Sequence, residues 1–193
     1  MEAQAERSAP EPLDLVEAFI NTADLERHSD EVGTPAALQA WLQARKLIGR
    51  SQRVTPADHR DALQLREALR RAARANNGDL VDANHLRRLN QLARRGSLVL
   101  SFAGDGTARL DPAASGVDAA LGRILAAVAD SMLTGRWSRL KSCANDGCQW
   151  VFYDASKNRS GRWCDMADCG NEAKSRAFRS RHRLKAQPGR AAG

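Results

Sequence analysis

Four cysteines constrain this chain more than any other feature. Cys143, Cys148, Cys164 and Cys169 stand as C-x4-C-x15-C-x4-C, two equally spaced pairs joined by a loop. Each pair can reach one edge of a metal ion from a single tight turn, and the loop brings the two edges together around a tetrahedral thiolate site. Gly147 before Cys148 and Gly170 after Cys169 are expected to give these turns their backbone freedom. Soft thiolates select zinc or an iron–sulfur centre, and a closed four-thiolate site favours structural Zn2+. A redox pair would show C-x-x-C, which is absent. Disulfides are disfavoured by a cytoplasmic location, which is itself expected because the acidic, proline-bearing start MEAQAERSAPEP has no secretory pattern. No apolar run approaches the ~18–20 residues that span a bilayer, so no membrane partner is expected.

The cysteines lie in a tail that is chemically unlike the rest. Residues 136–193 carry 13 Lys/Arg against 5 Asp/Glu and six of the nine aromatics, while residues 1–135 are almost neutral. At 58 residues the tail is near the size where an apolar core alone is marginal. Metal binding can supply on the order of 10 kcal/mol, so the module is expected to fold only with metal bound. Trp150–Tyr153 has strand character, and Trp150 and Trp163 are placed to pack over the thiolates.

Residues 13–135 have a predominantly helical pattern. Leu13–Thr22 opens it, with Leu15, Val16, Phe19 and Ile20 inward. Thr34-Pro35 and Thr55-Pro56 each pair a capping hydroxyl with proline at the first helical position. Gly49 is placed to end the first of these helices. In the second, Ala62, Leu65, Leu69 and Ala72 form a stripe with Arg66, Arg70 and Arg74 outside it. Asp82 is a candidate cap for a helix with Leu86, Leu89 and Leu92 inward, stopped at Gly96. Ser97–Phe102, the turn Gly104-Asp105-Gly106 and Thr107–Leu110 form a β-hairpin. A long helix follows, with Val117, Leu121, Ile124, Val128 and Met132 inward, closed by Gly135.

The fold class is therefore α+β, mostly α: a disordered leader over 1–12, a helical domain with one β-hairpin over 13–135, a four-cysteine zinc module (short β-hairpin plus basic helix) over 136–185, and a disordered tail over 186–193. His28, His59 and His85 read as isolated helix-face or surface residues. Asn21-Thr22 suits either a pocket or a turn. No nucleophile–base pair, paired carboxylate or phosphate-loop pattern occurs, so no enzyme is expected.

CANDGC, WVFYDASKNRSGRWC and CGN followed by a basic helix resemble the CGNR zinc-finger family. The preceding domain resembles the ABATE domain, through Phe19-Ile20-Asn21-Thr22, Trp41-Leu42, Leu65-Arg66-Glu67-Ala68-Leu69-Arg70 and Leu89-Asn90. Proteins of this kind are regarded as bacterial transcription regulators with a proposed link to stress, and the finger as a DNA binder. The resemblance implies that the four cysteines are the metal ligands. It departs at one place: Glu172 stands where the motif has arginine, although a carboxylate in the first turn of a helix meets the positive end of its dipole.

The helix expected over 172–185 carries Lys174, Arg176, Arg179, Arg181 and Arg183, with Ala173, Ala177 and Leu184 as a thin apolar stripe suited to resting on the finger. With Lys157 and Arg159 of the intervening loop, these cations are the candidate DNA contacts. The helical domain would sense a small-molecule effector or form a homodimer. The competing reading is a zinc-stabilised protein-interaction module that binds acidic protein surfaces and no DNA.

Overall fold

The computed structural model describes residues 8–80 and 83–185, and the side chains of residues 177, 180, 181 and 183–185 also lie outside the description. The expected cap Asp82 and the tail 186–193 fall outside it. Ordered structure begins before residue 13: Ala9 is buried, and its N–H donates to Glu17 Oε2 at 2.7 Å.

Among the described residues, six α-helices and three two-stranded antiparallel sheets make an α+β, mostly α fold. In chain order they are α1 (Leu13–Ile20), the strands β1 (Ala23–Asp24) and β2 (Ser29–Asp30), α2 (Pro35–Ala44), α3 (Pro56–Ala75) and α4 (Ala83–Gly96). The hairpin β3 (Leu98–Phe102) and β4 (Ala108–Pro112) follows, then α5 (Gly116–Leu133), the strands β5 (Leu140–Ser142) and β6 (Val151–Tyr153), and α6 (Asn171–Lys185). Among the described residues, no helix is long and apolar enough to cross a membrane.

The helix starts follow from local chemistry. Thr34 accepts from Ala37 N–H at 3.1 Å, and Thr55 and Asp58 cap each other's backbone N–H groups at the head of α3. α2 ends at Ala44, ahead of the expected stop at Gly49. Where α4 passes α5, Gly96 faces Gly122 so closely that a Cβ on Gly96 would lie 2.9 Å from the Gly122 Cα. A Cβ on Gly122 would meet Pro112, so these two glycines let the foot of the β3–β4 hairpin sit on the helix crossing. Gly135, at φ +69°, closes α5 as expected.

One core joins the helical domain to the β5–β6 hairpin. Leu13, Val16, Phe19 and Ile20 of α1 pack with Leu38 and Leu42 of α2, Leu65 and Leu69 of α3, and Leu121 and Ile124 of α5. The Phe19 and Trp41 rings lie 5.6 Å apart, and the Arg45 guanidinium sits 3.9 Å above Trp41. Trp137, Leu140 and Val151 of the cysteine-bearing tail belong to this same core. Met132 and Leu86, expected inside, are about half exposed. Arg66 and Arg70, expected outside the α3 stripe, are buried.

Glu17 gives the fold a pH signature. Burial raises its pKa from 4.5 to about 6, outweighing the Ala9 N–H, and Asp14 adds to the rise. A raised folded pKa means that the folded state holds the proton longer, so this residue's contribution to stability falls as pH climbs from 4.5 through 6. Gln at this position keeps an acceptor for Ala9 without the charge. Glu17→Gln is expected to raise stability at pH 7 by roughly 1 kcal/mol, with no gain below pH 4.5, measured by urea unfolding at both pH values.

Candidate metal centre

The first cysteine pair is built on the β5–β6 hairpin. β5 and β6 pair Leu140 with Tyr153 and Ser142 with Val151. Cys143 extends the ladder, its N–H donating to Trp150 O at 2.8 Å. The chain then turns tightly: the N–H groups of Cys148 and Gln149 both donate to Asn145 O at 3.0 Å. The left-handed position here is Gln149, at φ 51°, and not the expected Gly147. In the second pair Cys164 precedes, and Cys169 sits on, a turn of π-helix, Met166–Gly170, that runs directly into α6. Asp165 caps the turn through Ala167 N–H at 2.6 Å and Asp168 N–H at 3.3 Å. Gly170 leaves room for its neighbours: a Cβ there would come within 2.6 Å of Met166 Sδ and 3.3 Å of Trp163, so the half-exposed Met166 side chain would have to move.

These turns bring all four sulfurs together. Every pair lies within 4.8 Å, with Cys148 Sγ to Cys164 Sγ at 3.6 Å and Cys164 Sγ to Cys169 Sγ at 3.9 Å. A metal–sulfur bond of ~2.3 Å implies tetrahedron edges of about 3.8 Å, so the spacing fits one four-coordinate ion. It is far from the ~2.05 Å of a disulfide, and no disulfide joins the four cysteines. Trp150 and Trp163, half-buried, pack against the cluster as expected.

The electrostatics of the four thiols make the same point. Thiol donors from Cys148 and Cys164 hold Cys143 down to about 2. Hydrogen bonding with Cys143 in turn pushes Cys148 up to about 12 and Cys164 upward, and burial does the same for Cys169. Only a bound cation makes four thiolates compatible at this spacing, so metal loading releases protons.

Asn145, almost fully buried, links the two halves of the centre. Its amide N–H groups point to Cys169 Sγ at 3.6 Å and Glu172 Oε2 at 2.8 Å, and its Oδ1 accepts from Arg176 Nη2 at 3.1 Å. Glu172, the departure from the motif arginine, thus ties α6 to the first cysteine turn. A second lock holds the 154–161 loop. Lys141 and Asp154 form a buried ion pair at 2.7 Å, and Lys141 Nζ also donates to Arg159 O at 2.5 Å and Gly161 O at 3.0 Å. Burial opposes the Asp154 charge, but Lys141, Ser156 and Gly161 outweigh it and hold the carboxyl down to about 2. Neither Asn145 nor Lys141 stands out in the sequence, where an isolated Asn or Lys reads as surface.

Among the candidate contact residues, Lys157, Arg159, Lys174 and Arg179 are exposed. Arg176 is about half exposed and shared with Asn145 and Glu172. The side chains of Arg181 and Arg183, and those of Ala177 and Leu184 in the expected apolar stripe, lie outside the described residues. α6 packs mainly on the turn that starts it.

The centre is stitched to the helical domain through that domain's own landmarks. Asn21, expected to line a pocket or to end a helix or turn, does end α1, and its side chain also acts as a one-residue strand: its Oδ1 accepts from Val151 N–H at 2.9 Å and its Nδ2 donates to Val151 O at 2.8 Å. Arg70 donates to Gln149 O beside Cys148, and to Ile20 O and Ala23 O. Asn76 donates to Trp137 O and Leu140 O, and Asn77 to Ser142 O and Arg162 O. His59 bonds Val32 O, a structural role.

Residues 13–136 match the family ABATE, described as "Putative stress-induced transcription regulator", and residues 139–182 match the CGNR zinc finger. No curated protein matches the chain.

Proposed function

Because the chain belongs to the ABATE family and ends in a CGNR zinc finger, we propose that it is a zinc-dependent, DNA-binding transcription regulator and not an enzyme. The observation that carries this reading is the four-sulfur cluster at tetrahedral spacing, from which a basic helix emerges directly. Cys143, Cys148, Cys164 and Cys169 hold Zn2+. Structural zinc supplies rigidity here, fixing the 154–161 loop and α6 relative to each other. Four thiolates with one divalent ion lower the charge of residues 136–193 from +8 to about +6, which remains strongly cationic.

Lys157, Arg159, Lys174, Arg176, Arg179, Arg181 and Arg183 then contact phosphates, with Arg176 the weakest contributor because Asn145 and Glu172 already engage it. The helical domain senses a small effector or dimerises. The cleft of about 350 Å³ between α3 and α4, lined by residues including Leu63, Glu67 and His85, is its candidate effector site. Unbridged thiols suit a reducing compartment, and we place the protein in the cytoplasm.

Metal analysis of the purified chain, followed by fluorescence anisotropy with a labelled duplex over a salt series, tests this. One zinc per chain is expected, and log K should fall with log salt at a slope of roughly −4 to −7. Lys174→Ala with Arg179→Ala should make that slope shallower by about 2 and weaken binding similarly across sequences. No duplex affinity at moderate salt, with zinc bound, would favour the interaction-module reading, in which acidic protein surfaces are the partner.

A further inference from the structure

The β3–β4 hairpin exposes an edge that fits a second copy of itself. Ala103 N–H donates to Thr107 O and Ala113 N–H to Ser97 O. Antiparallel ladders alternate, so Ser97, Val99, Ser101 and Ala103 bond to β4, while Leu98, Leu100 and Phe102 aim their N–H and C=O groups away from it. β4 lies along α5, and among the described residues no strand pairs with the outer edge of β3. That edge, Leu98-Val99-Leu100-Ser101-Phe102, holds no charge and no proline, the devices that normally block strand addition. Leu100 and Phe102 are 60% and 75% exposed, on the sheet face whose base, Leu98, is packed against the core.

We propose that β3 pairs antiparallel with β3 of a second copy about a two-fold axis at Leu100, giving a homodimer with a continuous four-stranded sheet. Leu100 then lies opposite the partner's Leu100, and Leu98 opposite the partner's Phe102. All three outward-facing residues exchange backbone hydrogen bonds, because none of them is proline. Two further features match this register. A shallow cleft of about 490 Å³ lined by Asn90, Ala93, Arg94, Ser97 and Leu98 lies at the foot of β3, where the partner's Phe102 arrives. The hairpin-tip Asp105 comes beside the exposed Arg94 of the partner, at the C-terminal end of its α4, so the charges are complementary, whereas Arg95 is already held by Asp61 and Asp118. The contact is isologous: each copy supplies both the aromatic side chain and the cleft.

This deepens the dimerising role within the proposed function. Measuring mass without nucleic acid keeps its failure separate from any failure of DNA binding. Light scattering on the zinc-loaded full chain at tens of micromolar should report twice the 21.1 kDa monomer mass. Leu100→Lys and Phe102→Asp should each raise the dimer dissociation constant at least tenfold. Their zinc content and helical circular dichroism should stay unchanged, since both side chains are exposed. Arg94→Glu should weaken the dimer, and adding Asp105→Lys should restore it. A wild-type chain that stays monomeric at ~100 µM overturns the proposal, whether the edge is left open or serves a different partner. So does a dimer that survives both strand variants.

Discussion

Removing the metal with a strong chelator is expected to dismantle the two cysteine turns and release α6, while leaving the helical domain and the β5–β6 hairpin in place. The size of the effect follows from binding energy: a structural zinc site contributes on the order of 10 kcal/mol, far more than the few side-chain contacts that would remain. The loss is confined because the hairpin does not depend on the ion. Leu140 and Val151 are fully buried in the main core, and Asn21 holds Val151 by both backbone groups. The tail as a whole is therefore less metal-dependent than its 58 residues suggest.

Three readouts separate this outcome from global unfolding. The aromatic circular dichroism of Trp150 and Trp163, packed against the sulfurs, should collapse. Far-ultraviolet helicity should fall by no more than the 15 residues of α6. Four thiols should become reactive together. Cys148→Ser should reproduce the state without chelator, and melting of the helical domain should shift little. An aromatic signal unchanged after complete metal removal would contradict the expectation, and so would loss of most of the helix.

What could be read in the sequence is what is encoded locally. Thr34, Thr55 and Asp58 announce helix starts because a cap and its targets lie within three residues. The cysteine spacing announces the metal centre because each pair sits on one turn. The seam between domain and finger was hidden for the opposite reason: Asn21 and Val151 are 130 positions apart, and no periodicity relates them. Arg66 and Arg70 depart from the expected outward position, since a guanidinium off the apolar stripe normally faces water. Here Arg66 is met by Asp30 through two bonds of 2.8 and 2.9 Å, and by Thr22 and Glu67. Glycine also misled: Gly147 read as the flexible point, yet Gln149 takes the left-handed conformation, where its carbonyl reaches both Ser142 and Arg70.

Arg70→Met is expected to be the most damaging single change outside the cysteines. The Arg70 side chain is 2% exposed. Its Nη2 donates to Ile20 O at 2.7 Å and Ala23 O at 3.1 Å, its Nη1 to Gln149 O at 3.0 Å, and its Nε to Glu67 Oε2 at 3.2 Å. Burial lowers its pKa and Glu67 only partly opposes this, so the charge is held largely by carbonyl dipoles. Methionine fills much of the volume but leaves three carbonyls without this donor, a cost of about 3–5 kcal/mol. Arg74→Met is the control, because its partners Asp79 and Asp146 are exposed and such pairs are worth about 1 kcal/mol or less. Urea unfolding should separate the two variants clearly. The Arg70 variant should also yield its zinc to a competing chelator about tenfold more readily, since Gln149 adjoins Cys148 and outer contacts of that kind orient metal ligands. Equal destabilisation by the two substitutions would mean that Arg70 is only a surface-type residue, and zinc affinity unaffected by Arg70→Met would mean that the seam does not reach the metal.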